Sequence, residues 1–211
     1  MEIDLQDVIE ITAKAHTGQT RKGIFSHIPY IQHLFDVHKR VTHYLQTGED
    51  DLNVSVTVMQ AAALMHDLDE DTTFKVADIR AEFGDTVADL VQELSRPDNY
   101  GKTRADKYEW METYMEKSLE STIIKIADRY SNVMDYMADE KKQAYASFYA
   151  LQGYPVYQAY LIYGGSNIRI LDDIKALDDI VHRRYPTVSM FADCAAKFIE
   201  KIAKTPGNHG W

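Results

Sequence analysis

Residues 54–71 read VSVTVMQAAALMHDLDED, an almost unbroken apolar run that ends in His66 and the carboxylates Asp67, Asp69, Glu70 and Asp71. The valines at its start permit a buried strand. The length of the run, and Ala61, Ala62, Ala63, Leu64 and Met65 within it, instead predict a buried helix over about Val54 to Asp67. A carboxylate at the end of such a helix is expensive unless it is paired or binds a metal. At helical spacing Glu70 and Asp71 follow Asp67 by three and four positions, so the three side chains share one face. Like charges so placed repel one another unless a cation sits among them. The His66-Asp67 pair taken alone is a weak signal, since a helix C-terminal histidine followed by a solvated acidic loop looks the same.

Outward from this stretch, helical periodicity dominates and strand-like alternation is scarce. Helices are expected over about Leu5–His16 and Tyr30–Leu45, then Phe74–Glu82 and Thr86–Ser95 on either side of Gly84. Arg104–Lys117 and Leu119–Ala138 follow, and three further helices are broken at Gly153–Pro155, Gly164–Gly165 and Pro186 before a frayed tail. Thr17 to His27, polar, basic and containing Gly18 and Gly23, reads as a loop. The fold class is therefore all-α, a single compact helical bundle over residues 1–211. Its core spans about residues 5–138, with a helical C-terminal extension at 139–211.

Composition narrows the chemistry. The 211 residues carry a net charge of −10, which repels a nucleic-acid backbone and excludes nucleic acid far more firmly than it excludes a small nucleotide. Cys194 is the one cysteine, so neither an internal disulfide nor a cysteine zinc site is available. No run reaches the roughly 18 to 20 apolar residues of a membrane helix. The acidic, amphipathic start MEIDLQDVIE does not look like a secretory signal. The expected setting is the cytoplasm, with no membrane partner.

Two more pieces complete a donor set. Pro29-Tyr30-Ile31-Gln32-His33 places an imidazole one turn inside a helix, and Ile123-Ile124-Lys125-Ile126-Ala127-Asp128 puts one carboxylate in an apolar helix, with Asn132 a turn later. A lone histidine on an apolar face is usually a satisfied core residue, but a lone buried Asp is harder to dismiss. Two imidazoles and two carboxylates suit Mn²⁺, Fe²⁺ or Zn²⁺ better than Ca²⁺.

The order His33, His66-Asp67, Asp128 resembles the ligand signature of the HD phosphohydrolase superfamily. Finer matches are to its Rel/SpoT-type alarmone hydrolase branch: Ala15-His16-x-Gly18-Gln19-x-Arg21-Lys22, Pro29-Tyr30-x-x-His33, His66-Asp67-x-x-Glu70-Asp71-Thr72, Phe83-Gly84-x-x-Val87 and Lys125-Ile126-Ala127-Asp128-x-x-x-Asn132. The resemblance covers about residues 5–138. It implies an HD-domain enzyme that removes the 3′-pyrophosphate from guanosine alarmones such as ppGpp. His33, His66, Asp67 and Asp128 would hold a divalent cation, Mn²⁺ first and Zn²⁺, Fe²⁺ or Mg²⁺ as alternatives. Glu70 and Asp71 resemble the acid/base pair of this branch. Arg21 and Lys22 would neutralise or stack on the nucleotide, Asn132 would hydrogen-bond a ribose or phosphate, and Lys102 and Arg104 would cover a pyrophosphate.

Some features depart from the family. Leu34 stands where a proline usually follows the first metal histidine, and the link Gly23-Ile24-Phe25-Ser26-His27-Ile28 is unlike the usual short one. His27 and His38 lie outside the ligand positions. The C-terminal tyrosines Tyr145, Tyr149, Tyr154, Tyr157 and Tyr160 have the spacing of a packing seam. Two other functions share these features. One is an HD phosphatase acting on NADPH or another (deoxy)nucleotide, and the other is a non-catalytic binding or antitoxin-type protein. The second is disfavoured because every expected metal and acid/base position is filled.

Overall fold

A computed structural model describes residues 2–97, 100 and 103–190. Among them are eleven α-helices: α1 (Leu5–Ala15), α2 (Ile31–Leu45), α3 (Val56–Met65), α4 (Leu68–Asp71), α5 (Val76–Phe83), α6 (Asp85–Leu94), α7 (Arg104–Glu112), α8 (Leu119–Ala138), α9 (Gln143–Gln152), α10 (Tyr154–Ile162) and α11 (Ile168–Arg184). Extended pairing among the described residues is a single antiparallel bridge between Thr20 and Pro29, which closes the loop after α1. The fold is all-α, as the periodicity predicts. Lys102, Cys194 and the expected tail fall outside the described residues.

Local chemistry sets the helix starts. Asp4 accepts from the Gln6 amide at 2.8 Å, Ser118 from Ser121 at 3.1 Å and Asn167 from Arg169 at 3.1 Å, each satisfying an amide that the first turn leaves open. Thr103 and Asp106 cap α7 reciprocally. Gly84, at φ +87°, ends α5 and begins α6, a conformation that side chains with a Cβ rarely adopt.

Two helices organise the core. Met59 and Ala61 to Met65 of α3 are fully buried, and the alanines let α1, α2 and α6 approach closely. In α8, residues 120 to 129 are buried in succession, so its first half is covered all round. Helices α2, α3, α6, α9, α10 and α11 all pack against it.

Two boundaries differ from expectation. The long apolar helix stops at Met65, so His66 and Asp67 form the link to α4, with Asp67 as its N-cap. The first-turn relation survives, because the Asp71 amide still donates to the Asp67 carbonyl at 3.0 Å. The expected helix from Arg104 to Lys117 ends at Glu112 and tightens into a 3₁₀ turn, Thr113–Glu116.

Candidate functional site

Three elements bring the ligand candidates together: the first turn of α2, the link from α3 to α4, and the middle of α8. One donor atom each from His33, His66 and Asp128 lies within 4.8 Å of the other two, and all three residues are buried. Each imidazole is oriented through its Nδ1. His33 Nδ1 hydrogen-bonds with Ser131 Oγ at 3.2 Å, and His66 Nδ1 with the Ala63 carbonyl at 2.8 Å. Such partners fix the ring and turn the other nitrogen toward a metal.

Both Nε2 atoms are buried without a hydrogen-bond partner. Carboxylate oxygens nevertheless surround them at ion-pair distance. His33 Nε2 lies 3.3 Å from Asp128 Oδ1 and 3.8 Å from Asp67 Oδ2. His66 Nε2 lies 3.0 Å from Asp67 Oδ2 and 3.8 Å from Asp128 Oδ1. Orphaned imidazole nitrogens facing two carboxylates fit a divalent cation of borderline softness. The cluster can hold one.

Both acids are braced. Tyr30 donates its hydroxyl to Asp67 at 2.6 Å, and burial together with that carboxylate holds the phenol well above its usual pKa, so it stays a donor. Asp128 accepts from Asn132 Nδ2 at 2.6 Å and pairs with the buried Lys125 ammonium at 2.9 Å. Burial pulls the Asp128 carboxyl up, but Lys125 and the two imidazoles hold it well below the usual carboxylate range. Burial lowers the His33 imidazole. At His66 the neighbouring Asp67 and Asp128 outweigh burial and push the pKa up to about 9.

Glu70 and Asp71 sit on α4 and open onto a cavity of about 670 Å³ that Asp67 and Asp128 also line. Burial raises both carboxyls above their ordinary values, and at Asp71 the charge of Asp67 adds to the shift. Glu70 accepts from the Arg96 amide at 2.7 Å, and Gln19 donates to the Asp71 carbonyl at 2.8 Å, so both ends of this short turn are tethered.

Arg21, Lys22 and Asn132 also line this cavity. Arg21 forks onto Asp135 of α8, with Nε at 2.9 Å, and the amide of Asn132 is engaged by Asp128. Arg104 begins α7 with its guanidinium 4.8 Å from the Phe148 ring centroid. The tyrosine seam divides. Tyr154, Tyr157 and Tyr160 are core, whereas Tyr145 and Tyr149 wall the cavity.

Sequence reasoning gave no role to Tyr30, Lys125, Asp135, Lys107 or Arg129. Lys125 carried a signal, a lone cation in an apolar helix three residues before Asp128. The pairing of Arg21 with Asp135 spans 114 residues and leaves no periodic trace.

Residues 9–158 match the family model described as HD domain, and the chain belongs to that family. Its relatives include a Streptomyces antibioticus GTP pyrophosphokinase, 33% identical over 144 residues, which cover 66% of this chain and 16% of that protein. Another is the human guanosine-3′,5′-bis(diphosphate) 3′-pyrophosphohydrolase MESH1, 29% identical over 131 residues, which cover 62% of this chain and 68% of that one. Thus the chain spans about a sixth of the Streptomyces protein's length but about two thirds of the human one. A solved structure described as a metazoan ortholog of SpoT that hydrolyses ppGpp superposes with a TM-score of 0.68 at 22% identity, covering 88% of this chain and 97% of that one. The structure of lmo0812 from Listeria monocytogenes gives 0.56 at 22% identity, over 80% and 99%. These two likenesses concern the fold.

Proposed function

We propose that this chain is a divalent-metal-dependent hydrolase that removes the 3′-pyrophosphate from guanosine alarmones such as ppGpp, acting in the cytoplasm. The observation that carries the reading is the pair of orphaned Nε2 atoms of His33 and His66. They face Asp67 and Asp128 in the cavity that Glu70 and Asp71 also line. The printed function of the human relative, a 3′-pyrophosphohydrolase of the bis(diphosphate), supports the substrate class.

His33, His66, Asp67 and Asp128 would hold the cation, for which we propose Mn²⁺. When bound, it supplies Lewis-acid polarisation of a phosphoryl oxygen and activation of water. The remaining work falls to the chain. Glu70 and Asp71, with raised pKa values, are suited to take a proton from the attacking water and return one to the leaving group. Arg21, pinned by Asp135, and Lys22 place positive charge at the cavity wall for the nucleotide. Asn132 acts chiefly by positioning Asp128. Lys102 and Arg104 stay as the proposed cover for the pyrophosphate, from the start of α7 and the residues before it.

The test is release of pyrophosphate from ppGpp with and without Mn²⁺, comparing the native chain with Asp67→Ala and Glu70→Ala. Mn²⁺-dependent release, abolished by both substitutions, is expected. Phosphate release from NADPH or another nucleotide, with none from ppGpp, would keep the metal site and overturn the substrate. Bound metal without turnover of any nucleotide would overturn the enzymatic reading.

A further inference from the structure

The cavity wall carries charge of both signs. Asp67, Glu70, Asp71 and Asp128 supply the one, and Arg129 of α8, Lys107 of α7 and Arg96 are among those that supply the other. Arg129 is 1% exposed, and its guanidinium carbon lies 3.9 Å from the Tyr149 ring centroid. Its Nε has no hydrogen-bond partner, and among the described residues no carboxylate lies within ion-pair distance of it. Two other cations of the cavity wall are matched: Lys125 by Asp128 at 2.9 Å, and Arg21 by Asp135.

A buried guanidinium stacked on a ring retains most of its need for an anion. Lys107 makes the deficit larger. It lines the same cavity, and burial together with the charges of Arg96, Arg129 and Lys22 pushes its pKa down. Cations that act on one another across one cavity, with a forked Arg donor among them, match the oxygens of a phosphoryl group. Arg129 lines the same cavity as Asp128, whose charge is among those that act on it, so these cations lie beside the candidate metal cluster.

We propose that Arg129 and Lys107 form a second phosphoryl subsite beside the metal cluster, which receives the far phosphoryl group of a substrate pyrophosphate. The inference rests on the hydrolase reading above and deepens it. One phosphoryl group is held at the cluster and its neighbour at this pair, so the site selects a pyrophosphorylated substrate over a phosphomonoester. Arg129 supplies paired donors in a fixed plane, and Lys107 supplies a compact charge.

The experiment is calorimetric titration of the full chain with inorganic pyrophosphate and with inorganic phosphate, in chelator and again with Mn²⁺ at fixed free concentration. The native chain is expected to bind pyrophosphate at least tenfold more tightly than phosphate in both conditions. Arg129→Met and Lys107→Met are each expected to weaken pyrophosphate at least tenfold and erase that preference, with Arg129→Lys in between. Equal binding of the two anions by the native chain, or unchanged pyrophosphate binding by both Met variants, would overturn the proposal. Should Arg129→Met lose its helical circular dichroism, Arg129→Lys and Lys107→Met decide. A pyrophosphate preference that depends on both residues, in a chain inactive on ppGpp, would keep the subsite and sink the alarmone assignment. Turnover of ppGpp with a preference indifferent to both would do the reverse.

Discussion

At the scale of single residues, the site works by withholding partners from some groups and fixing others. Because Asp67 and Asp128 push the His66 imidazole up to about 9, the metal-free protein holds a proton there at neutral pH. A cation needs the bare nitrogen, so binding must expel that proton. Apparent Mn²⁺ affinity should therefore rise about tenfold per pH unit from pH 7 upward and level off near 9. Titrations in buffers of different ionisation heat should show close to one proton released per cation at pH 7; no release and a flat profile would contradict the assignment. Tyr30→Phe removes the donor that steadies Asp67. Loss of such a partner should weaken Mn²⁺ about tenfold or more without altering the helical circular dichroism. The two candidate carboxylates stood out in the sequence because Asp128 in an apolar helix, and Asp67 closing one, are costly without a cation. Tyr30 was not, since nothing local reveals a hydroxyl whose acceptor lies 37 residues away.

Among the helices, legibility followed the strength of the period. The span of α8, Leu119–Ala138, was predicted to the residue, because an apolar face, a Ser118 cap and a polar end all agree. The break between α3 and α4 was missed because a continuous apolar and acidic pattern hides a turn that changes direction without glycine or proline. The α9–α10 elbow shows the opposite case, a break marked by Gly153 and Pro155 whose reason is steric. A Cβ on Gly153 would meet the Tyr157 hydroxyl oxygen at 2.3 Å and its ring carbons at 2.5 and 3.0 Å. Tyr157 is fully buried, so its ring cannot swing away. Gly153→Ala should thus destabilise the chain by about 1–3 kcal/mol, the usual cost of overpacking. A chemical-denaturation midpoint indistinguishable from native would show that the elbow yields more easily than this packing implies.

Over the whole molecule, charge and packing pull in different directions. A net charge of −10 disfavours anions at long range, yet the cavity wall gathers Arg21, Lys22, Arg96, Lys107 and Arg129 among its carboxylates, so local placement overrides the total. Composition could exclude a nucleic-acid surface but could not reveal this pocket, because it depends on α7, α8 and α9 meeting. The same meeting bears on the C-terminal third, read from sequence as an extension beyond a core at about residues 5–138. In the fold, α9, α10 and α11 pack against α8, and Phe148, Ala150, Leu151, Val156 and Leu177 are buried or nearly so. Without them, the consecutively buried stretch 120–129 would lose the cover that these helices give it. Tyr149, the stacking partner of Arg129, would be lost as well. A chain ended after Ala138 should therefore fail to fold cooperatively, giving a broad thermal transition and binding a dye for exposed apolar surface. It should also fail to bind Mn²⁺, although it keeps His33, His66, Asp67 and Asp128. A sharp transition with native cation affinity in that fragment would mean that the metal centre is supported by residues 1–138 alone, and that the last helices serve only the substrate.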